Sequence, residues 1–142
     1  MRITRLGHIC LGTIDLDRVV SFYSDLLGCR VIHEFRTAAG ERYGVFLLVG
    51  EGTFLEFFLD TTIRSGDGGF RHLCLQVEDI EQAAHSLRAS GFEPVIRRGR
   101  TDHVLLCEVR DPDGNLVEFH QYDSPSMQWA FLPTRETGHP ST

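Results

Sequence analysis

The chain alternates apolar and polar positions in two rhythms, and the pair of rhythms occurs twice. Residues 8–15, HICLGTID, alternate with the period of a strand, and after Asp15 the apolar positions Val19, Phe22, Tyr23 and Leu26 fall at helical spacing until Gly28 stops the run. Residues 72–79, HLCLQVED, repeat the strand: His8, Cys10, Leu11 and Asp15 recur as His72, Cys74, Leu75 and Asp79, all offset by 64. Ile80, Ala83, Ala84 and Leu87 then follow at helical spacing up to Gly91. The halves also end alike, since GEGTFLEF (50–57) aligns with PDGNLVEF (112–119) and pairs Glu56 with Glu118 at an offset of 62. Between helix and closing strand each half has room for two more strands, RVIHEF (30–35) and YGVFLLV (43–49), then EPVIRR (93–98) and HVLLCEV (103–109). The pattern predicts strand, helix, strand, strand, strand in each half.

The join, Ser65-Gly66-Asp67-Gly68-Gly69, is the one Gly-dense stretch. One domain over 1–142 is expected, with a first module over about 2–62, a linker at 63–69, a second module over about 70–122 and a tail at 123–142. A chain of 142 residues, 42% hydrophobic and 24% charged, buries a core without covalent staples. Fourteen basic residues against 20 acidic ones give a net charge of −6, which disfavours nucleic acid and anionic membranes as partners. No 18 apolar residues run together and the N-terminus does not read as a signal peptide, so a cytoplasmic protein is expected. Cys10, Cys29, Cys74 and Cys107 form no CxxC pair and read as small hydrophobes.

Alternation also sorts the candidate chemistry. On the first strand His8 and Cys10 share the face opposite Ile9 and Leu11; on the fourth, Phe54, Glu56 and Phe58 oppose Leu55 and Phe57. In the second half His72, Cys74 and Gln76 share one face, and Leu116, Glu118 and His120 another. Any one of these polar residues reads as a solvated strand edge. Four in repeated register point to one place where two imidazoles and two carboxylates meet. That donor set suits a divalent transition ion, leaving about two positions for water or substrate.

These residues resemble the vicinal oxygen chelate superfamily, also called glyoxalase/bleomycin resistance/dioxygenase proteins. The likeness covers roughly 5–122 and is carried by GHICLGTIDLDRVVSFYSDLLG and VRDPDGNLVEF. It implies an α+β fold of two tandem βαβββ modules, whose mixed sheet curls around a central metal with the helices outside. It further implies His8, Glu56, His72 and Glu118 as metal ligands, an order similar to that of bacterial glyoxalase I. Methylmalonyl-CoA epimerases usually carry Gln where Glu56 stands. Extradiol dioxygenases use a triad matching His8, His72 and Glu118, and antibiotic-sequestering members need no ligands. Nickel, cobalt, zinc, iron and manganese all accept this set. A homodimer is expected by resemblance, in some members with the site shared between chains. Gly12 and Asp60 depart from the arginine and asparagine that hold glutathione in the lyases, and an anion at 60 repels a glutathione carboxylate.

The expected reaction is metal-assisted proton transfer beside a carbonyl on a small substrate with neighbouring oxygens, as a lyase or isomerase. Glu56 is the expected base and Glu118 the constant ligand; His120, Gln76, Phe54 and Phe58 are candidate substrate contacts. His120 reads first as a hydrogen-bonded structural histidine at the end of the strand, and only then as a substrate contact. A metal-independent trap for a flat or cationic molecule, such as an antibiotic, against Phe54 and Phe58 is the alternative. Iron-dependent ring cleavage is a further one, against which a fourth ligand at Glu56 counts. Arg97, Arg98 and Arg100 read as a solvated turn or a steering patch, and the tail, with Trp129 and Phe131, as a frayed end or a packing arm.

Overall fold

The computed structural model describes residues 6–62 and 70–129. The strands β1 (His8–Thr13), β2 (Arg30–Arg36), β3 (Arg42–Gly50) and β4 (Thr53–Leu59) form one sheet in the order β1-β4-β3-β2. A second sheet takes β5 (Leu73–Gln76), β6 (Arg97–Arg98), β7 (Leu105–Arg110) and β8 (Leu116–Gln121) in the order β5-β8-β7-β6. The two orders are the same order repeated, as the sequence repeat requires. β1 runs parallel to β4, while β3 is antiparallel to both β2 and β4. The architecture is the expected α+β arrangement of mixed sheets with few helices. Among the described residues, no helix is long and apolar enough to cross a membrane.

Each helix begins where a carboxylate can satisfy free amides. Asp15 accepts from Asp17 N and Arg18 N at 3.0 and 3.1 Å ahead of α1 (Leu16–Val20), and Asp79 accepts from Glu81 N and Gln82 N at 2.9 and 3.1 Å ahead of α2 (Ile80–Ala89). Gly28 and Gly91 end the two helical segments at φ of 76° and 89°, the left-handed conformation that glycine adopts without strain. One difference lies between them: α1 continues into a π-helical segment, Ser21–Leu26, closed by Leu27 N donating to Phe22 O at 3.1 Å. The apolar set from Val19 to Leu26 is too short to separate a period of 3.6 from a slightly wider turn.

Two strand boundaries also differ from expectation, each for a visible reason. Only Arg97 and Arg98 of the stretch 93–98 pair with a neighbour, because Pro94 has no amide to donate and is buried while Val95 turns to solvent. His103 takes a left-handed φ of 58°, and its carbonyl accepts from the Arg98 guanidinium, so β7 starts at Leu105.

The described chain divides into two compact units. The first takes the chain up to Leu73 together with Val109–Val117; the second takes Cys74–Glu108 and the chain from Glu118 onward. In the first, Val45, Leu47, Leu55 and Phe57 on one sheet face are buried, as are Leu16, Val19, Phe22 and Tyr23 from the helical segment. The Tyr23 and Phe57 rings meet at 5.0 Å. The Asp111 turn belongs to this unit. Its buried carboxylate accepts from the Tyr23 hydroxyl at 2.9 Å, from Asn115 Nδ2 at 3.0 Å, and from the amides of Asp113 and Asn115. In the second unit Ile80, Ala84 and Leu87 form the buried stripe of α2, and Val104, Leu106, Cys107 and Phe119 are buried on or beside the strands. Asp123 pairs with Arg98 at 2.9 Å and Met127 N donates to Asp102 O at 2.9 Å, so the start of the tail lies on the 98–102 loop. The Gly-dense join and Phe131 lie outside the described residues.

Candidate metal centre

Register between parallel strands brings two of the expected ligands together in the first unit. Cys10 stands opposite Glu56, and His8 is one step along opposite Phe54, so imidazole and carboxylate are diagonal neighbours on one face. His8 Nε2 lies 3.8 Å from Glu56 Oε2, longer than a hydrogen bond. Two donors on one transition ion, each about 2.0–2.2 Å from it, lie within about 4.3 Å of one another. The observed separation falls inside that span, and a nitrogen with a carboxylate oxygen is a donor pair such ions accept. The His8 side chain is 50% exposed and that of Glu56 17%, so the imidazole is accessible while the carboxylate is largely enclosed. Burial and the Glu56 carboxylate together push the Cys10 thiol up, which keeps it protonated.

The wall around this pair is aromatic. Phe46, opposite Glu56 on β3, meets the His8 ring edge-on at 5.8 Å and stacks on Phe54 at 5.3 Å. Phe58 stacks with Tyr43 at 5.9 Å, meets Phe35 at 5.0 Å and lies over Gly44, whose missing side chain leaves room for the ring. Phe54 and Phe58 were expected on this face; Phe35, Tyr43 and Phe46 were not. β3 is apolar on both faces, so alternation could not say which side Phe46 takes.

The second unit holds the other carboxylate. Glu118 and His120 share a face of β8, with His120 Nε2 at 2.9 Å from Glu118 Oε2. His120 is buried, and its Nδ1 has no hydrogen-bond partner among the described residues. The Tyr122 ring stands edge-on to the imidazole at 5.9 Å, and the Tyr122 hydroxyl is hydrogen-bonded to Cys74. Burial pushes the Cys74 thiol up to about 11, with the Glu118 charge adding to it, and burial pushes Tyr122 up to about 12. Tyr122 was missed, although the alternation Glu118, His120, Tyr122 points to it. His72 and Gln76 are exposed, one just ahead of β5 and the other at its end. Among the described residues, no three His, Cys, Asp or Glu side chains are grouped closely enough to hold a metal ion. The expected ligands are brought together as one pair, His8 with Glu56, while Glu118 is paired with His120.

A family model described as the Glyoxalase/Bleomycin resistance protein/Dioxygenase superfamily matches residues 5–119. The chain belongs to this superfamily. A relative named "Probable lactoylglutathione lyase" from Synechocystis sp. is 30% identical over 126 residues, covering 84% of this chain and 96% of its own. Among solved structures, a glyoxalase family protein from Enterococcus faecalis superposes with a TM-score of 0.71 at 25% identity, covering 84% of this chain and 99% of its own. TnmS3, an antibiotic binding protein from Streptomyces sp. CB03234, shares the fold with a TM-score of 0.67 at 21% identity, covering 87% of this chain and 99% of its own. The superfamily fold thus spans both an enzyme name and a binding-protein name, and the residues of the site must decide between them.

The two positions where the resemblance implies glutathione contacts, Gly12 and Asp60, carry no cation. Asp60 is exposed, and its carboxylate accepts from the Thr62 hydroxyl at 2.6 Å and the Thr62 amide at 2.8 Å. These bonds stabilise the carboxylate and hold its pKa below the ordinary aspartate range, so the group is an anion at neutral pH. Gly12, opposite Phe58 on β4, offers no cation.

Proposed function

We propose that this glyoxalase-superfamily chain is a metal-dependent lyase or isomerase that moves a proton on a carbon beside a carbonyl. It works as a cytoplasmic homodimer on a small substrate with neighbouring oxygens. The reading is carried by the His8–Glu56 pair, set 3.8 Å apart on adjacent strands against an aromatic wall. His8, Glu56, His72 and Glu118 would hold one divalent transition ion. When bound, such an ion supplies an electrophile for the substrate oxygens. Glu56 accepts the proton as the carbon–hydrogen bond breaks, the electron pair delocalises toward the carbonyl oxygen, and the carboxylic acid returns the proton to the neighbouring carbon. Glu118 remains the constant ligand. Phe54 and Phe58 exclude water from the reacting carbon, and Gln76 contacts the substrate.

Metal content tests the reading directly. Purified wild type is expected to carry close to one transition ion per chain, and a Glu56→Ala, His72→Ala double variant little, by elemental analysis. Wild type that stays empty after reconstitution with divalent ions overturns the proposal. That outcome brings forward the second reading, a metal-independent trap for a flat molecule, which the stacked Phe46–Phe54 and Tyr43–Phe58 pairs support.

Glutathione is not the expected carrier, despite the name of the Synechocystis relative. An anion at Asp60 and no cation at Gly12 oppose the carboxylates of the peptide. Turnover of a glutathione hemithioacetal by metal-loaded wild type is expected to be slow, and Asp60→Asn to raise kcat/KM by removing the repulsion. Efficient wild-type turnover of that substrate would refute this assignment.

A further inference from the structure

We infer that His120 is a positioning residue for Glu118: its Nε2–H holds one carboxylate oxygen so that the carboxylate meets the ion in a fixed orientation. The inference rests on the metal reading above and deepens it. Residues two apart on a strand point the same way but stand about 6.6 Å apart along it, so two side chains meet there only by leaning together. Glu118 and His120 do so, with Nε2 and Oε2 at 2.9 Å. The strand end that carries the imidazole is anchored through its backbone, and the ring itself meets an aromatic neighbour. The His120 carbonyl accepts from Val77 N at 2.9 Å, tying this end of β8 to the residue after β5, and the Tyr122 ring stands at 83° to the imidazole.

The unpartnered Nδ1 sharpens the argument. Most buried polar atoms have a hydrogen-bond partner, so a buried ring nitrogen without one calls for a reason beyond packing. Here a side chain buried to 8% exposure leaves one nitrogen without a partner among the described residues while the other engages Glu118. With Glu118 ionised, the proton belongs on Nε2, because a carboxylate only accepts. Such outer partners set ligand orientation and basicity, and their loss typically weakens metal binding by about 10–100-fold.

Cobalt(II) titration, followed by visible absorption and by calorimetry, separates this role from a structural one. His120→Leu is expected to bind cobalt about 10–100-fold more weakly than wild type. His120→Gln, whose amide nitrogen reaches the position of Nε2, is expected to restore most of the affinity. His120→Asn, whose amide nitrogen stands in the place of Nδ1, is expected to behave like His120→Leu. Metal-free melting temperatures of wild type and all three variants are compared alongside, so that a general loss of fold is recognised. Wild-type binding that persists unchanged in His120→Leu overturns the inference and leaves the metal reading intact. Equal weakening in all three variants, in step with their melting temperatures, also overturns it, because it assigns His120 to structure. No cobalt binding by wild type removes the metal reading, and this inference with it.

Discussion

Replacing Glu56 by glutamine is expected to lower turnover of an α-hydroxycarbonyl substrate by about 10²–10⁴-fold, the usual worth of a positioned general base. The change keeps shape and an oxygen donor and removes only the ability to take a proton. Glu56 suits the role because its carboxylate is largely enclosed, lies beside the Cys10 thiol and faces Phe46 across the strand, so few waters compete for the proton. It has also a nitrogen neighbour, His8, at a separation that one ion can span. The glutamine amide still offers an oxygen donor, so the variant is expected to keep its metal. Two measurements on the metal-loaded protein check the prediction: kcat, and the rate at which the substrate proton exchanges with solvent deuterium. Loss of both with metal retained assigns the base to Glu56. Full turnover with metal retained refutes it and shifts the role to Glu118.

The elements that carry this site were legible because each rests on a local rule. Asp15 and Asp79 cap helices, Gly28 and Gly91 end them, and strand alternation put His8 and Glu56 on one face. Repetition lifted those residues above their neighbours, since a lone Glu in FLEFFL reads as a solvated edge. What stayed hidden depends on partners distant in sequence. β3 is apolar on both faces, so Phe46 entered the site unannounced. Pro94 and the left-handed His103 shortened the strands on either side of the 99–104 loop, an effect of backbone geometry that hydrophobic pattern does not encode. The grouping of Val109–Val117 with the first unit was hidden as well, because the repeat assigns that hairpin to the second half. Its most buried tie is a hydrogen bond between residues 88 apart.

That tie carries the largest expected effect on stability. Asp111 is 5% exposed and Tyr23 fully buried, so neither the carboxylate nor the phenol has water to fall back on. Tyr23→Phe removes one charge-assisted bond and is expected to cost about 1.5–3 kcal/mol. Asp111→Ala costs more, about 3–4 kcal/mol, since it strands the Tyr23 hydroxyl and releases the Asn115 side chain and two turn amides at once. The double variant should cost less than the sum by about 1–2 kcal/mol, because the hydroxyl stranded by one change is absent in the other. Urea unfolding of the four proteins measures all three terms, and strict additivity would refute the coupling. Alkaline pH offers an independent check. Burial first, and then the Asp111 charge, raise the Tyr23 phenol well above its ordinary value, so the folded chain keeps a proton that the unfolded chain releases above about pH 10. The tie is therefore fully present below pH 10, and above it wild type loses up to about 1.4 kcal/mol per pH unit from this one group. Tyr23→Phe has no proton to release at that position, so the gap between variant and wild type should narrow as the pH rises beyond 10. A gap that stays constant would mean that the phenol is not held protonated by the fold.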